Sequence, residues 1–179
     1  SNTTGADGTE TINATGLTVG ATYRVRIYSA GSGSPFMGTF NVCVFGLAVP
    51  PANDNCVGAI ALPNTSPCTA INGLVTGATQ SQAGCAGTAD DDVWYSFIAA
   101  NTTATVTVTG GTGFDAVVQA FSGTCGSLTS LGCQDATFSG QAENLLLSGL
   151  TPGNTYYVRT YHYSGTTPST PNFTICLTG

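Results

Sequence analysis

The 179-residue chain has no lysine, and its only strong cations are Arg24, Arg26 and Arg159. Charged residues make up 7% of it, and nine acids against three arginines set the net charge at -6. Nucleic acids and anionic lipid surfaces are held by Lys and Arg side chains that displace counterions from phosphates. A chain this poor in cations excludes both partners. No apolar run approaches the ~20 residues that a membrane-spanning helix needs, so membrane insertion is not expected either.

Catalytic and metal-binding signatures are equally scarce. His162 is the only histidine, so no second imidazole can share a metal with it, and no Gly-x-Ser-x-Gly elbow offers it a nucleophile. The seven cysteines include no Cys-x-x-Cys pair, which argues against structural zinc. The expectation is a protein that is not an enzyme.

What the chain does contain is 41% hydrophobic residues, with Thr, Ser, Asn and Gly making up most of the polar remainder. Disorder goes with low hydrophobicity and high net charge, and this composition has neither. Cysteines unsuited to zinc imply disulfides, which form in oxidising compartments. A secreted, extracellular or cell-surface protein is expected.

The sequence repeats itself once. Gly16-Leu17-Thr18-Val19-Gly20-Ala21-Thr22-Tyr23-Arg24-Val25-Arg26 matches Gly149-Leu150-Thr151-Pro152-Gly153-Asn154-Thr155-Tyr156-Tyr157-Val158-Arg159 at an offset of 133 residues. Without a gap, Tyr28 falls on Tyr161, Pro35 on Pro168, Phe40 on Phe173, Cys43 on Cys176 and Gly46 on Gly179. Solenoid units run roughly 20 to 50 residues, so a period this long means tandem domains. Residues 1–47 are expected to be the C-terminal part of a preceding repeat, 48–53 a Pro-rich linker stiffened by Pro50 and Pro51, and 54–179 a complete repeat.

Six cysteines fall in the complete repeat, an even number with 15 possible pairings. The expected set is Cys56 with Cys176, tying the first strand to the last, Cys68 with Cys85, and Cys125 with Cys133. Cys43, the counterpart of Cys176, is then unpaired within the segment, its partner lying in an upstream counterpart of Cys56 or in another molecule.

The apolar segments are short and bounded by Gly, Pro, Asn or Ser, as strands are. Asp92–Ile98, Thr105–Thr109, Ala116–Phe121, Tyr156–Tyr161 and Phe173–Leu177 are rich in β-branched and aromatic residues, and no amphipathic helix is visible. Phe173, Ile175 and Leu177 share one face of their strand, the period of two that half-burial produces. Thr151-Pro152-Gly153-Asn154 has proline and glycine where a type II turn places them. Several such strands at short spacing predict an all-β antiparallel sandwich.

The order Asp91-Asp92-Val93-Trp94-Tyr95-Ser96-Phe97, Phe114-Asp115-Ala116-Val117-Val118, Ser122-Gly123-Thr124-Cys125 and Gly149 to Val158 resembles the bacterial pre-peptidase C-terminal-like domains, in the versions repeated in large secreted and surface proteins of Bacteroidetes. The resemblance implies a jelly-roll-like β-sandwich, secretion, and a non-catalytic accessory, spacer or adhesive role.

Two sets of residues are candidates for binding. Asp90, Asp92, Asp115 and Asp135 lie near strand ends, where carboxylates can gather around Ca2+, an ion that accepts irregular oxygen cages. No Asp-x-Asp-x-Asp-Gly loop accompanies them, and acids in such places also cap turns and protect sheet edges. Trp94, Tyr95, Tyr156, Tyr157, Tyr161 and Tyr163 offer an aromatic platform for sugar rings, but strand alternation sends about half of such residues inward, and a Val-Trp-Tyr strand reads as core.

The functional expectation is a structural and adhesive repeat of an extracellular filament or adhesin, with neighbouring repeats or identical subunits as partners and a glycan or other surface ligand as target. The alternative is a substrate-binding accessory module of a secreted hydrolase. In the first case the incomplete unit at residues 1–47 is completed either in cis or by another chain.

Overall fold

A computed structural model describes residues 8–18, 21–28, 39–44 and 48–179, and divides the chain into two compact units, Ser1–Phe45 and Gly46–Gly179. In the first unit the described residues form no strand or helix and are exposed. The remainder of the expected partial repeat lies outside the described residues.

The second unit is a β-sandwich. A three-residue 3-10 turn, Cys56–Gly58, precedes nine strands: β1 (Ile60–Ala61), β2 (Ile71–Leu74), β3 (Val93–Ile98), β4 (Thr103–Gly110), β5 (Ala116–Thr124), β6 (Ser127–Gln134), β7 (Ala142–Ser148), β8 (Thr155–His162) and β9 (Asn172–Thr178). One sheet has the order β1-β3-β8-β5-β6 and the other β2-β9-β4-β7. All neighbours are antiparallel except β1 and β3.

The four-stranded sheet keeps a dry and a wet face. In β4 the residues Ala104, Val106 and Val108 are buried while the threonines between them are partly exposed, and β9 turns Phe173, Ile175 and Leu177 inward. These meet Val93, Tyr95, Phe97, Val118, Ala120 and Val158 of the five-stranded sheet in one core.

The central strands β3, β8 and β5 of the five-stranded sheet are buried on both faces, because the segment between β2 and β3 crosses its outer side. Trp94, Arg159, Gln119 and Cys133 are in register across β3, β8, β5 and β6. Each directly opposed pair in an antiparallel ladder shares a face, so the four form one transverse row beneath this strap.

The strap is fastened by named bonds. Thr79 donates through N–H and hydroxyl to the Asp54 carboxylate, Trp94 Nε1 donates to Ser81 Oγ at 2.9 Å, and the Tyr161 hydroxyl accepts from Cys85 N and Ala86 N while donating to Ala86 O. Arg159 reaches the carbonyls of Gln82 and Ala83. A buried guanidinium that saturates strap carbonyls turns a polar loop into a lid on the sheet.

The three disulfides differ from the expected set. They are Cys56–Cys125, Cys68–Cys176 and Cys85–Cys133. Cys125 cannot reach Cys133 because the first sits in the β5–β6 turn, whereas the second lies opposite Gln119, six residues down the strand and roughly 20 Å away at 3.4 Å per residue. Cys68 and Cys85 belong to different sheets: Cys68 precedes β2 beside β9, and Cys85 lies on the strap over β8. Cys56 packs with Trp94 and Phe121 under the β5–β6 turn, far from β9, so Cys125 is its partner.

The expected linker 48–53 is shorter than its composition suggests. Asn53 is 5% exposed; its carbonyl accepts from Trp94 N–H and its amide donates to Trp94 O. It thereby ties the residues ahead of the 3-10 turn to β3.

Candidate binding site

The antiparallel order fixes which loops meet at one end of the sandwich. Strand β5 runs opposite to both β8 and β6, so the start of β5 lies beside the ends of the other two, and the start of β3 lies beside the end of β8. Asp90, Asp91 and Asp92 precede or open β3, Asp115 precedes β5, Asp135 follows β6, and His162 and Tyr163 close β8.

Within this end the four acids of the candidate calcium set have different fates. Asp92 is fully buried and committed to Arg159 at 2.8 Å, with Ser81 N–H and hydroxyl donating to its carboxylate. Asp90 stays exposed. Asp92 therefore drops out as an ion ligand, because its oxygens already satisfy a buried guanidinium. Among the described residues, no group of three or more His, Cys, Asp or Glu side chains is arranged to hold a metal ion.

Asp115 and Asp135 do come together. With Ala136, Thr137, Phe138 and Tyr163 they line a cleft of about 270 Å3. Burial pushes both carboxyls above their ordinary value; Glu143 adds to the effect on each, and Asp115 adds to that on Asp135. The Oδ1 atom of Asp115 is buried without a hydrogen-bond partner.

The floor is rigid. Glu143, 1% exposed on β7, accepts from the N–H groups of Ala136 and Thr137 and from the Thr137 hydroxyl. Burial raises its pKa, but these hydrogen bonds outweigh that and hold it below the ordinary value. His162 Nδ1 accepts from Asp115 N–H at 3.0 Å, and the His162 backbone N–H donates to Asp91 Oδ1 at 2.9 Å. Asp115 is thereby anchored at its backbone while its carboxylate faces the cleft.

The walls are apolar and open to solvent: Phe138 is 77% exposed and Tyr163 44%. Two aromatic rings beside two carboxylates and a hydroxyl suit a neutral polyhydroxylated ligand, whose C–H faces pack on rings and whose hydroxyls donate to carboxylates.

The remaining aromatics serve the fold. Trp94, Tyr95, Tyr156 and Tyr161 are buried, and Tyr157 is partly buried against the cluster of Cys56, Trp94 and Phe121. Of the candidate platform only Tyr163 reaches the cleft. Phe138 went unnoticed in the sequence because it belongs to no strand pattern; an aromatic stranded in Thr-Phe-Ser-Gly between two strands was itself the signal.

A second cleft of about 190 Å3 lies over Cys56 and Cys125, between Asn55, Val57, Gln82 and Leu128. It carries no acid or base. Its floor is the edge of the buried Trp94.

A family model described as galactose-binding-domain-like and T9SS-associated matches residues 52–175. That match supports a β-sandwich domain of bacterial surface proteins, as the resemblance to the pre-peptidase C-terminal-like domains implied, but it does not carry assignment to that particular family. No curated protein matches the chain.

Proposed function

The chain belongs to the galactose-binding-domain-like family associated with T9SS, and from that premise we propose that it is a non-catalytic adhesive module, one repeat of a tandem array on an extracellular protein, holding a neutral glycan at one end of its five-stranded sheet. The cleft of Asp115, Asp135, Phe138 and Tyr163 carries the reading. Disulfides and the T9SS association fit secretion. The repeated motif at an offset of 133 residues supports the array. No helix among the described residues is long and apolar enough to cross a membrane.

A non-catalytic role is supported by the state of His162. Its Nδ1 is taken by Asp115 N–H and its ring packs on Phe114 at 5.4 Å, so the one imidazole in the chain supports the loop.

The test is binding of the folded chain to a panel of neutral and acidic polysaccharides, with Tyr163→Ala and Phe138→Ala as controls. Retention on neutral glycans, lost in both variants at unchanged melting temperature, is the expected result. Binding that survives both substitutions, or no binding to any glycan, overturns the assignment of the cleft.

The same cleft serves a second reading, an accessory module that keeps a secreted hydrolase on its substrate. The family's association with binding-type domains favours it. A hydrolytic domain elsewhere in the same polypeptide would decide for this reading over the adhesive one.

A further inference from the structure

The first unit carries the local geometry of the second without its partners. Thr18 N–H donates to the Tyr23 hydroxyl at 2.8 Å, and Thr151 N–H donates to the Tyr156 hydroxyl at 2.8 Å. Ala21 N–H donates to Thr18 O as Asn154 N–H does to Thr151 O, both at 3.1 Å, and Gly16 and Gly149 share φ +70°. Arg26 lies 5.3 Å from the Tyr28 ring centre, and Arg159 lies 5.2 Å from that of Tyr161. Every pair is 133 residues apart.

Burial is inverted between the two. Tyr23, Val25, Phe40, Val42 and Val44 are 53, 64, 68, 55 and 82% exposed, while their counterparts Tyr156, Val158, Phe173, Ile175 and Leu177 are 6, 0, 3, 0 and 0% exposed. The topology explains why. In the complete sandwich β7, β8 and β9 form no ladder with one another: β7 pairs with β4, β8 with β3 and β5, and β9 with β2 and β4. Three strands of this kind cannot bury their apolar faces alone, because every neighbour they need comes from the first six.

We infer that residues 9–18, 21–28 and 39–44 belong to the β7–β9 portion of a second sandwich and dock on the β1–β6 portion of a repeat preceding them in the same polypeptide. The inference rests on the array in the proposed function and not on the cleft, so its test reads thiols and never glycan binding. In the complete unit β1–β6 come first and join β7 through a short loop, and the same order along a tandem chain sets the complement directly upstream.

Two chemical demands specify that complement. Arg26 is exposed, whereas its counterpart Arg159 is 1% exposed and donates to the Asp92 carboxylate and to the Gln119 amide oxygen, Oε1. The docking surface must therefore supply a carboxylate on its β3 start and an amide on its β5. Cys43 is free and exposed, and Cys176 pairs with Cys68, so the complement must also carry a cysteine ahead of its β2.

The test extends the full chain by a copy of residues 48–141 fused directly to Thr9, with a control in which residues 142–179 replace 9–46. The expected result is loss of the one free thiol, with peptide mapping joining Cys43 to the added copy of Cys68. An Asp92→Asn change confined to the added copy should let an added thiol reductant in mild denaturant open the Cys43 bridge, so that Cys43 becomes open to alkylation while Cys176 stays protected.

Three results would overturn the inference: Cys43 alkylated as fast as in the unextended chain, Cys43 bonded to any other cysteine, or a control that folds where the extended chain does not. Polymers of the unextended chain with Cys43 bonded to a neighbour's Cys68 would place the complement in a second copy and overturn its assignment to the same polypeptide.

Discussion

The Arg159 guanidinium lies 2.8 Å from the Asp92 carboxylate, with side chains 1% and 0% exposed. This pair joins β8 to the start of β3 beneath a loop whose Gln82 and Ala83 carbonyls, together with Gln119 Oε1, take the remaining guanidinium protons. Burying two charges is costly, and removing one strands the other. Asp92→Ala is expected to lower unfolding free energy by about 3–5 kcal/mol. The paired change Asp92→Leu with Arg159→Met should lose markedly less than Asp92→Ala alone. Denaturant titrations of the three chains measure both.

Asp91 gives the sandwich a pH dependence of opposite sign to the usual surface acid. Burial chiefly, with Asp90 and Asp92 beside it, raises its pKa to about 7 against the opposing His162 N–H. Between the ordinary value near 4 and about 7, the folded chain keeps a proton that the unfolded chain has released. This group's contribution is therefore full below about pH 4 and lost as pH rises through about 7. Asp91→Asn should gain on the parent chain from pH 5 to pH 8 by on the order of 2 kcal/mol, after allowance for solvent screening. Melting curves across that range show the crossover or its absence.

Breaking the longest covalent loop should cost the most among the three bridges. Cys68–Cys176 has a sequence separation of 108, and closing a loop of that size restricts the unfolded chain by about 5 kcal/mol. Cys68→Ala with Cys176→Ala is expected to lower stability by that amount and more than loss of Cys85–Cys133, whose separation is 48. Thermal unfolding of the two double variants ranks them.

Glu143 supports the binding cleft without lining it. Glu143→Gln retains shape but gives up charge in the hydrogen bonds to Ala136 and Thr137, each of which is worth more with an ionised acceptor. A loss of about 2 kcal/mol is expected. Hydrogen exchange should accelerate at Ala136 and Thr137 first.

The parts of the fold written in alternation were the legible ones. Phe173, Ile175 and Leu177 mark β9 because one side of the four-stranded sheet stays wet, and Pro152-Gly153 marks a turn in which Gly153 adopts φ +86°. β6 was missed because an edge strand reading Ser-Leu-Thr-Ser-Leu-Gly-Cys-Gln has little apolar surface to bury, and β7 because exposed Leu146 sits between buried Leu145 and Leu147.

The site was harder to read, and for a different reason. The acids near strand ends were visible, but which of them is spent on the fold depends on Arg159, whose partners Asp92 and Gln119 lie 67 and 40 residues away. The disulfides failed similarly. Proximity in sequence favoured Cys125 with Cys133, while the hairpin register holds them apart.

Cys68–Cys176 also governs how the sandwich would respond to being pulled. Tension entering ahead of Cys68 and leaving after Cys176 is carried across the Cys68–Cys176 bridge, so β2 through most of β9 cannot be drawn out, while Cys56–Cys125 ties the start of the 3-10 turn to the β5–β6 turn. Only β1, the 3-10 turn and the residues around them can be drawn out, at roughly 3.4 Å each. Unlike a spring that lengthens by shedding whole domains, a string of such units would behave as a cord of nearly fixed length, and the cleft would stay folded under load.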